Sequence, residues 1–290
     1  FTRKKKDRFT ILEILNQGEL SYCLNEESLA LMSDIGLSKT QQDRVSKLLS
    51  EDILTKSELL YKLEKLFPNP KQHKANRRII MESAALVIFK QKEEATQILL
   101  CDDAPQFKQC ATYTALCWVH AGRHFKKLRP FLAMHRKKQE QILTEFWEFY
   151  GKLLKYKLKP SNKVATELRE EFDRLFTQKT GYDLLDDRLS KTHENKEELL
   201  LVLKYPNIPL HNNSAELGAR AQARKRDISF HTKNDSGTQA KDIMMTVVQT
   251  SKKLQVNLFD YIYDRISQTY NMPSLAQIIT QKSSNAFDTG

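Results

Sequence analysis

The sequence predicts a helix-dominated α/β protein, on three observations. Its 290 residues contain only 8 Gly and 8 Pro, too few breakers for a fold built on many tight turns. Helix-capping signals stand repeatedly ahead of amphipathic stretches. The period then changes at Gln97-Ile98-Leu99-Leu100-Cys101, a continuous apolar run of strand length closed by Asp102-Asp103-Ala104-Pro105. A chain of this length buries a sizeable core and accommodates one or two domains.

The elements follow in order. Asn25 caps a helix running to Ile35, which Gly36 ends. Ser38-x-x-Gln41 and Thr55-x-x-Glu58 have capping-box spacing and open two more helices. The second of these lines up Leu59, Leu60, Leu63, Leu66 and Phe67 on one face and stops at Pro68. Residues 75–92 are helical, and 97–101 form a buried strand whose carboxyl end opens into the Asp102-Asp103 turn. Residues 110–128 read as a helix, followed by helices at 136–158, 163–177 and about 183–204. Pro206 and Pro209 bracket the approach to a helix opened by Asn212-Asn213-Ser214-Ala215-Glu216. Asp227–Thr232 reads as a short strand or extended loop, and Asn234-Asp235-Ser236-Gly237 as a turn. Ala240, Ile243, Met244, Val247, Val248, Ser251 and Leu254 make a helical stripe, Leu258–Tyr270 another helix, and a polar tail follows Pro273.

Lys plus Arg exceed Asp plus Glu by 47 to 36, a net charge of +11. That excess favours a polyanionic partner, nucleic acid ahead of an acidic membrane, although basic helical proteins exist without one. No run of about 18 apolar residues is present to span a bilayer, and the basic start Phe1-Thr2-Arg3-Lys4-Lys5-Lys6 has no apolar region behind it that would make a secretory signal. Cys23, Cys101, Cys110 and Cys117 form no CxxC pair and fit a reducing cytoplasm.

Four constellations could carry chemistry. Asp102 stands at a strand's carboxyl end, where open sheets place ligands; the plainer reading is a turn in which Asp103 bonds its own backbone. Glu216 shares a helix face with Arg220 and Arg224, four residues apart each. A carboxylate beside guanidiniums suits phosphate and a metal, while Asn213-x-x-Glu216 is equally the spacing of a capping box. Cys117-x-x-His120-x-x-x-His124 has the spacing of zinc ligands but no fourth partner, so a packed Trp118 flanked by surface histidines is the simpler account. Arg220, Arg224, Lys225 and Arg226, with Lys152, Lys155, Lys157 and Lys159 elsewhere, are phosphate contacts or solvated faces.

Three blocks together resemble the DDE-type transposases of bacterial insertion sequences, most closely the insertion-sequence sixty-six group. Leu100-Cys101-Asp102-Asp103-Ala104-Pro105-Gln106-Phe107 looks like that group's second-aspartate motif. Leu116-Cys117-Trp118-Val119-His120-Ala121-Gly122-Arg123 is similar to its Cys-Trp-x-His block, and Leu210 to Arg226 to its final Asn-Asn-x-x-Glu block with trailing cations. The resemblance runs from Lys6 to about Ile279.

It implies an RNase H-like catalytic core, incomplete because the first strands are missing, with large helical insertions. The expected division is the start of the core at 1–16, an insertion at 17–95, and a core strand and helix with the second Asp at 96–128. A second insertion follows at 129–206, then the core helix with the catalytic Glu at 207–232, helices at 233–282 and a polar tail at 283–290. The resemblance implies Asp102 and Glu216 as catalytic and metal-binding carboxylates, and two Mg²⁺ ions (or Mn²⁺) as cofactor. Arg220, Arg224, Lys225 and Arg226 are implied as DNA phosphate contacts, with His120, Arg123 and Asn213 auxiliary. The implied partner is double-stranded DNA at element ends and target, bound by a homo-oligomer in the cytoplasm without any membrane.

No residue before Asp102 has a comparable strand-end setting: Asp7 lies in the basic opening, and Asp34 and Asp43 on helices. With Phe1 at its start, the chain is expected to be a fragment lacking the first catalytic Asp and weak or inactive alone. The rival expectation is a non-catalytic, DNA-binding remnant of a transposable element; a helical scaffold of incidental charge is the third.

Overall fold

The computed structural model describes residues 7–16, 19–92, 97–229 and 232–287; within helices, the side chains at 214, 219, 222, 226, 235 and 284–287 lie outside that description. The described residues divide into two compact units, 7–212 and 213–287.

The first unit opens with α1 (Arg8–Leu15), β1 (Tyr22–Leu24), α2 (Glu26–Ile35), α3 (Lys39–Val45), β2 (Ser50–Leu54), α4 (Lys56–Leu66) and α5 (Lys74–Lys90). Local chemistry sets the expected boundaries. Asn25 and Ser28 exchange side-chain-to-backbone bonds at the start of α2, and Gly36, at φ 101°, supplies the left-handed residue that ends it. Thr55 and Glu58 form the same box on α4. The box expected at Ser38 does not form: Ser38 makes no side-chain cap bond, and the Gln41 side-chain Oε1 accepts from Arg44 instead. β1 and β2 pair antiparallel, strands that the helical reading of 17–95 did not include. Their apolar residues join Leu59, Leu63, Phe67 and the buried face of α5 in one core.

The unit continues with β3 (Ile98–Cys101), β4 (Tyr113–Leu116), α6 (Trp118–Lys126), α7 (Ala133–Leu158), α8 (Asn162–Phe176), α9 (Asp183–Glu194) and α10 (Lys196–Leu199). β3 and β4 pair in parallel, from Ile98 opposite Tyr113 to Cys101 opposite Leu116. The helix expected over 110–128 is therefore replaced at Tyr113–Leu116 by a strand, and only Trp118–Lys126 is helical. A second core gathers around Trp118, whose ring packs on Phe146, Phe149, Tyr150 and Phe172 and whose indole N–H donates to the Leu199 carbonyl at 2.9 Å. Leu99 on β3 packs against both cores, so the strand leading into Asp102 lies where they meet.

The single helix expected at 183–204 is broken at Asn195 into α9, α10 and a 3-10 turn at Leu201–Leu203. The break turns backbone carbonyls inward: Leu199 receives Trp118, and Leu203 receives the Tyr156 hydroxyl at 2.8 Å.

Two glycines in this unit respond oppositely to one substitution. A Cβ on Gly122 would stand 2.7 Å from Trp147 Cζ2 and 3.0 Å from Phe146 Cε1, whereas one on Gly151 meets nothing within 4 Å. Gly122→Ala is expected to cost about 1 kcal/mol net, overpacking of about 1–3 outweighing a helix-propensity gain of under about 1. Gly151→Ala keeps the gain alone and stabilises by roughly 0.5–1 kcal/mol. Urea unfolding midpoints at constant slope measure both.

The second unit holds α11 (Asn213–Ile228), α12 (Asp235–Leu254), α13 (Leu258–Ile266) and α14 (Leu275–Phe287). Asp227 and Ile228 continue α11 rather than forming a strand, while 230 and 231 lie outside the described residues. The turn expected at Asn234–Gly237 is the start of α12: the Asn234 side chain caps it by accepting from the Gly237 N–H at 2.7 Å. Most of the polar tail expected after Pro273 is α14, which packs on α12. Its polar residues are those of a helix exposing most of its surface.

Candidate active-site cleft

β3 delivers Asp102 to its carboxyl end, and the chain there is held from both sides. Cys117 N–H donates to the Cys101 carbonyl at 2.9 Å, extending the β3–β4 pairing to the point where α6 begins. On the other side Asn195 donates to the Asp103 carboxylate at 3.1 Å, with Lys108 Nζ 3.7 Å from its second oxygen. The following turn at Pro105–Phe107 is anchored by Arg8, whose guanidinium donates to the Pro105 carbonyl at 2.6 Å and to Glu82 at 2.7 Å. Asp103 thus braces the turn, and Asp102 is half-buried beside it with Oδ1 closed off from solvent.

Asp102 lines a cleft of about 450 Å³ together with His120 and His124 of α6 and Arg188, Lys191 and Asn195 from α9 and the break that follows it. The four-residue step from His120 to His124 puts both imidazoles on the α6 face opposite buried Trp118, Gly122 and Phe125. Arg123 Nη1 lies 3.3 Å from His120 Nε2. The His124 imidazole is pushed below its ordinary range by desolvation, then by the positive charges of Arg188 and Lys127, so it is neutral at pH 7. Lys191 is shared with Asp187 at 2.7 Å. A carboxylate beside a partly buried guanidinium and two imidazoles is a setting in which a phosphodiester can be received and a cation held next to it.

The sequence did not reveal Arg188, Lys191 and Asn195. They recur at steps of three and four on one side of α9, a visible pattern, but nothing local ties that helix to the Asp102 turn.

Glu216 and its cations belong to the second unit. Glu216 is about 20% exposed and pairs with Arg220 at 3.8 Å along α11. Arg224 and Lys225 are exposed, and the Arg226 side chain lies outside the described residues. Asn213 is the first residue of α11 and is exposed. Of the four lysines read as phosphate contacts, Lys152 is paired with Glu171 at 2.5 Å and Lys157 donates to the Ile208 carbonyl, its pKa lowered by burial. Lys155 and Lys159 remain exposed. Among the described residues no three His, Cys, Asp or Glu side chains cluster to hold a metal ion.

A polar cleft lined by both carboxylates and cations thus stands at the carboxyl end of a parallel strand pair in a helix-dominated α/β chain. Residues 81–240, which span both the Asp102 turn and α11, match the Transposase IS66 family, and the chain belongs to that family. It is also 38% identical over 169 residues to the uncharacterized protein y4jO of Sinorhizobium fredii (strain NBRC 101917 / NGR234). That alignment covers 58% of this chain and 52% of the relative, so the chain spans about half the length of the curated relative it matches. No solved structure matches it. No helix among the described residues is long and apolar enough to cross a membrane.

Proposed function

We propose that this chain is the catalytic region of a DNA transposase that cleaves the ends of an insertion sequence and joins them to target DNA by in-line phosphoryl transfer. The observation that carries the reading is the position of Asp102: the motif aspartate of a transposase family member stands at the end of a parallel strand, in a cleft with Arg188, His120 and His124. In this reading β3 and β4 are part of an RNase H-like core, and α7–α10 are a helical insertion that closes over it.

Asp102 and Glu216 are the two carboxylates this chain contributes to the reaction, and a third is not assigned to any described residue. Magnesium, when bound, supplies charge neutralisation at the attacked phosphate and activates the attacking oxygen. Arg188 holds a phosphate in the Asp102 cleft through paired N–H donors, and Arg220, Arg224 and Lys225 grip flanking phosphates along α11. The reaction consists of hydrolysis at the element's end, then attack of the freed 3′-hydroxyl on target DNA. Oligomers of the protein on paired ends complete the proposal.

The test is incubation of the complete protein with duplex DNA carrying its own element's ends. Nicking and strand transfer that require Mg²⁺ or Mn²⁺ and stop on chelation are expected. Salt-dependent DNA binding with no cleavage in any divalent ion would overturn the catalytic reading and leave a DNA-binding remnant.

A further inference from the structure

From Ala104 to Gln139 the chain has no acidic residue and eight cations: Lys108, Arg123, Lys126, Lys127, Arg129, Arg136, Lys137 and Lys138. The last six surround the loop joining α6 to α7, and all six are exposed. At its tip stands Phe131, 95% exposed, the most exposed large apolar side chain among the described residues. Met134 and Leu132 follow at 67% and 49%.

The loop is not loose at its base. Buried Gln139 donates to the carbonyls of Phe125 at 2.7 Å and Leu128 at 2.9 Å, tying α7 to the end of α6. His135 stacks on Tyr182 with ring centroids 4.5 Å apart and planes 8° from parallel. Pro130 limits the backbone just before the aromatic. A phenylalanine held outward on such a frame forgoes the stabilisation that burial would bring, and with Leu132 and Met134 beside it marks a contact surface.

We propose that the Phe131 loop is a nucleobase-stacking wedge: its cations hold the backbone of DNA while Phe131 stacks on a base that has left, or never joined, the duplex stack. The charge favours DNA over an apolar protein groove, since aromatic platforms in basic surroundings are how single-stranded and distorted DNA is held. Position favours it too. α6 carries His120 and His124 in the Asp102 cleft and ends at this loop, and its nine residues span only about 13 Å. DNA engaged in the cleft therefore passes within reach of the tip. The inference rests on the DNA reading of that cleft.

The experiment compares the full chain with Phe131→Ala and Phe131→Trp, substitutions at a position exposed enough to leave folding intact. The probes are a single-stranded oligonucleotide, the same sequence as a duplex, and a duplex with 2-aminopurine opposite a one-base gap. Phe131→Ala is expected to weaken single-strand and gapped binding about tenfold, with the salt slope unchanged. It should also abolish the 2-aminopurine change, while Phe131→Trp restores both and its indole fluorescence is quenched by DNA. Arg136→Ala/Lys137→Ala/Lys138→Ala should instead reduce the salt slope. Wild-type DNA binding of normal salt dependence that Phe131→Ala leaves untouched on every probe overturns the wedge and spares the transposase reading. Absence of any DNA binding by wild type overturns both. Quenching of Phe131→Trp by phosphatidylserine vesicles but not DNA, or loss of a dimer in Phe131→Ala with DNA binding unchanged, assigns the tip to a membrane or a second copy and likewise overturns the wedge.

Discussion

Asp102→Asn is expected to lower end cleavage by the complete transposase by roughly 10³-fold or more, while DNA affinity and folding stability change little. The exchange preserves shape and removes only the charge. In the proposed reaction several kcal/mol of transition-state charge stabilisation would depend on ionised ligands for the divalent cation, and each 1.36 kcal/mol is about tenfold in rate. Binding survives because the phosphate contacts assigned to Arg188, Arg220 and Arg224 remain, and removing one negative charge from the cleft does not oppose an anionic ligand. The neighbouring residue is the control. Asp103 braces the turn through Asn195 and Lys108 and is half-exposed, so Asp103→Asn, which keeps an acceptor for Asn195, should cost no more than a few-fold. Glu216→Gln should parallel Asp102→Asn. Gel assays of end cleavage at fixed Mg²⁺, with binding followed by anisotropy, separate the cases. Equal losses from Asp102→Asn and Asp103→Asn would reassign Asp102 to turn structure.

What the sequence disclosed was what local chemistry decides. Asn25, Thr55 with Glu58, Gly36 and Pro68 act within a few residues of themselves, and the helix boundaries they predict are those of the structure. β3 was legible because a continuous apolar run met two aspartates. β4 was not: Tyr113–Leu116 is only four residues long and runs directly into α6, so its apolar residues read as the first turn of that helix. β2 was hidden for the opposite reason, because Glu51 and Asp52 face solvent and mask a strand whose pairing is decided by distant β1. The break at Asn195 had no local signal either, since Lys196-Glu197-Glu198-Leu199 is a good helical sequence. It is stabilised by Trp118 at the Leu199 carbonyl and by Asp103 at Asn195, contacts spanning most of the first unit. The same break helps bring α9 to the cleft, which is why Arg188 escaped a reading made one segment at a time.

Arg8→Met is expected to destabilise the first unit by about 3–5 kcal/mol, because it strands a buried carboxylate. The Arg8 and Glu82 side chains are 7% and 6% exposed and meet at 2.7 Å; the other cation near Glu82, Arg78, is largely exposed and 3.7 Å away. Burial pushes the Glu82 carboxyl above its ordinary range, and Arg8 is the largest influence holding it down. A carboxyl raised on folding binds its proton more tightly in the folded state. Its effect on stability is therefore absent below the ordinary glutamate range, and stability declines as pH rises from there to the raised value. Without Arg8 that upper limit moves higher and the decline deepens, so Arg8→Met should be markedly more stable at about pH 5 than at pH 7 in urea unfolding. Wild type should show the same sign with smaller amplitude. Adding Glu82→Leu should recover most of the loss and flatten the pH dependence, since replacing a whole buried pair by apolar groups is often neutral. The double variant also isolates the link to function. It folds but still lacks the guanidinium that holds the Pro105 carbonyl, so the turn carrying Asp102 is less fixed, and end cleavage should fall although both proposed catalytic carboxylates are intact.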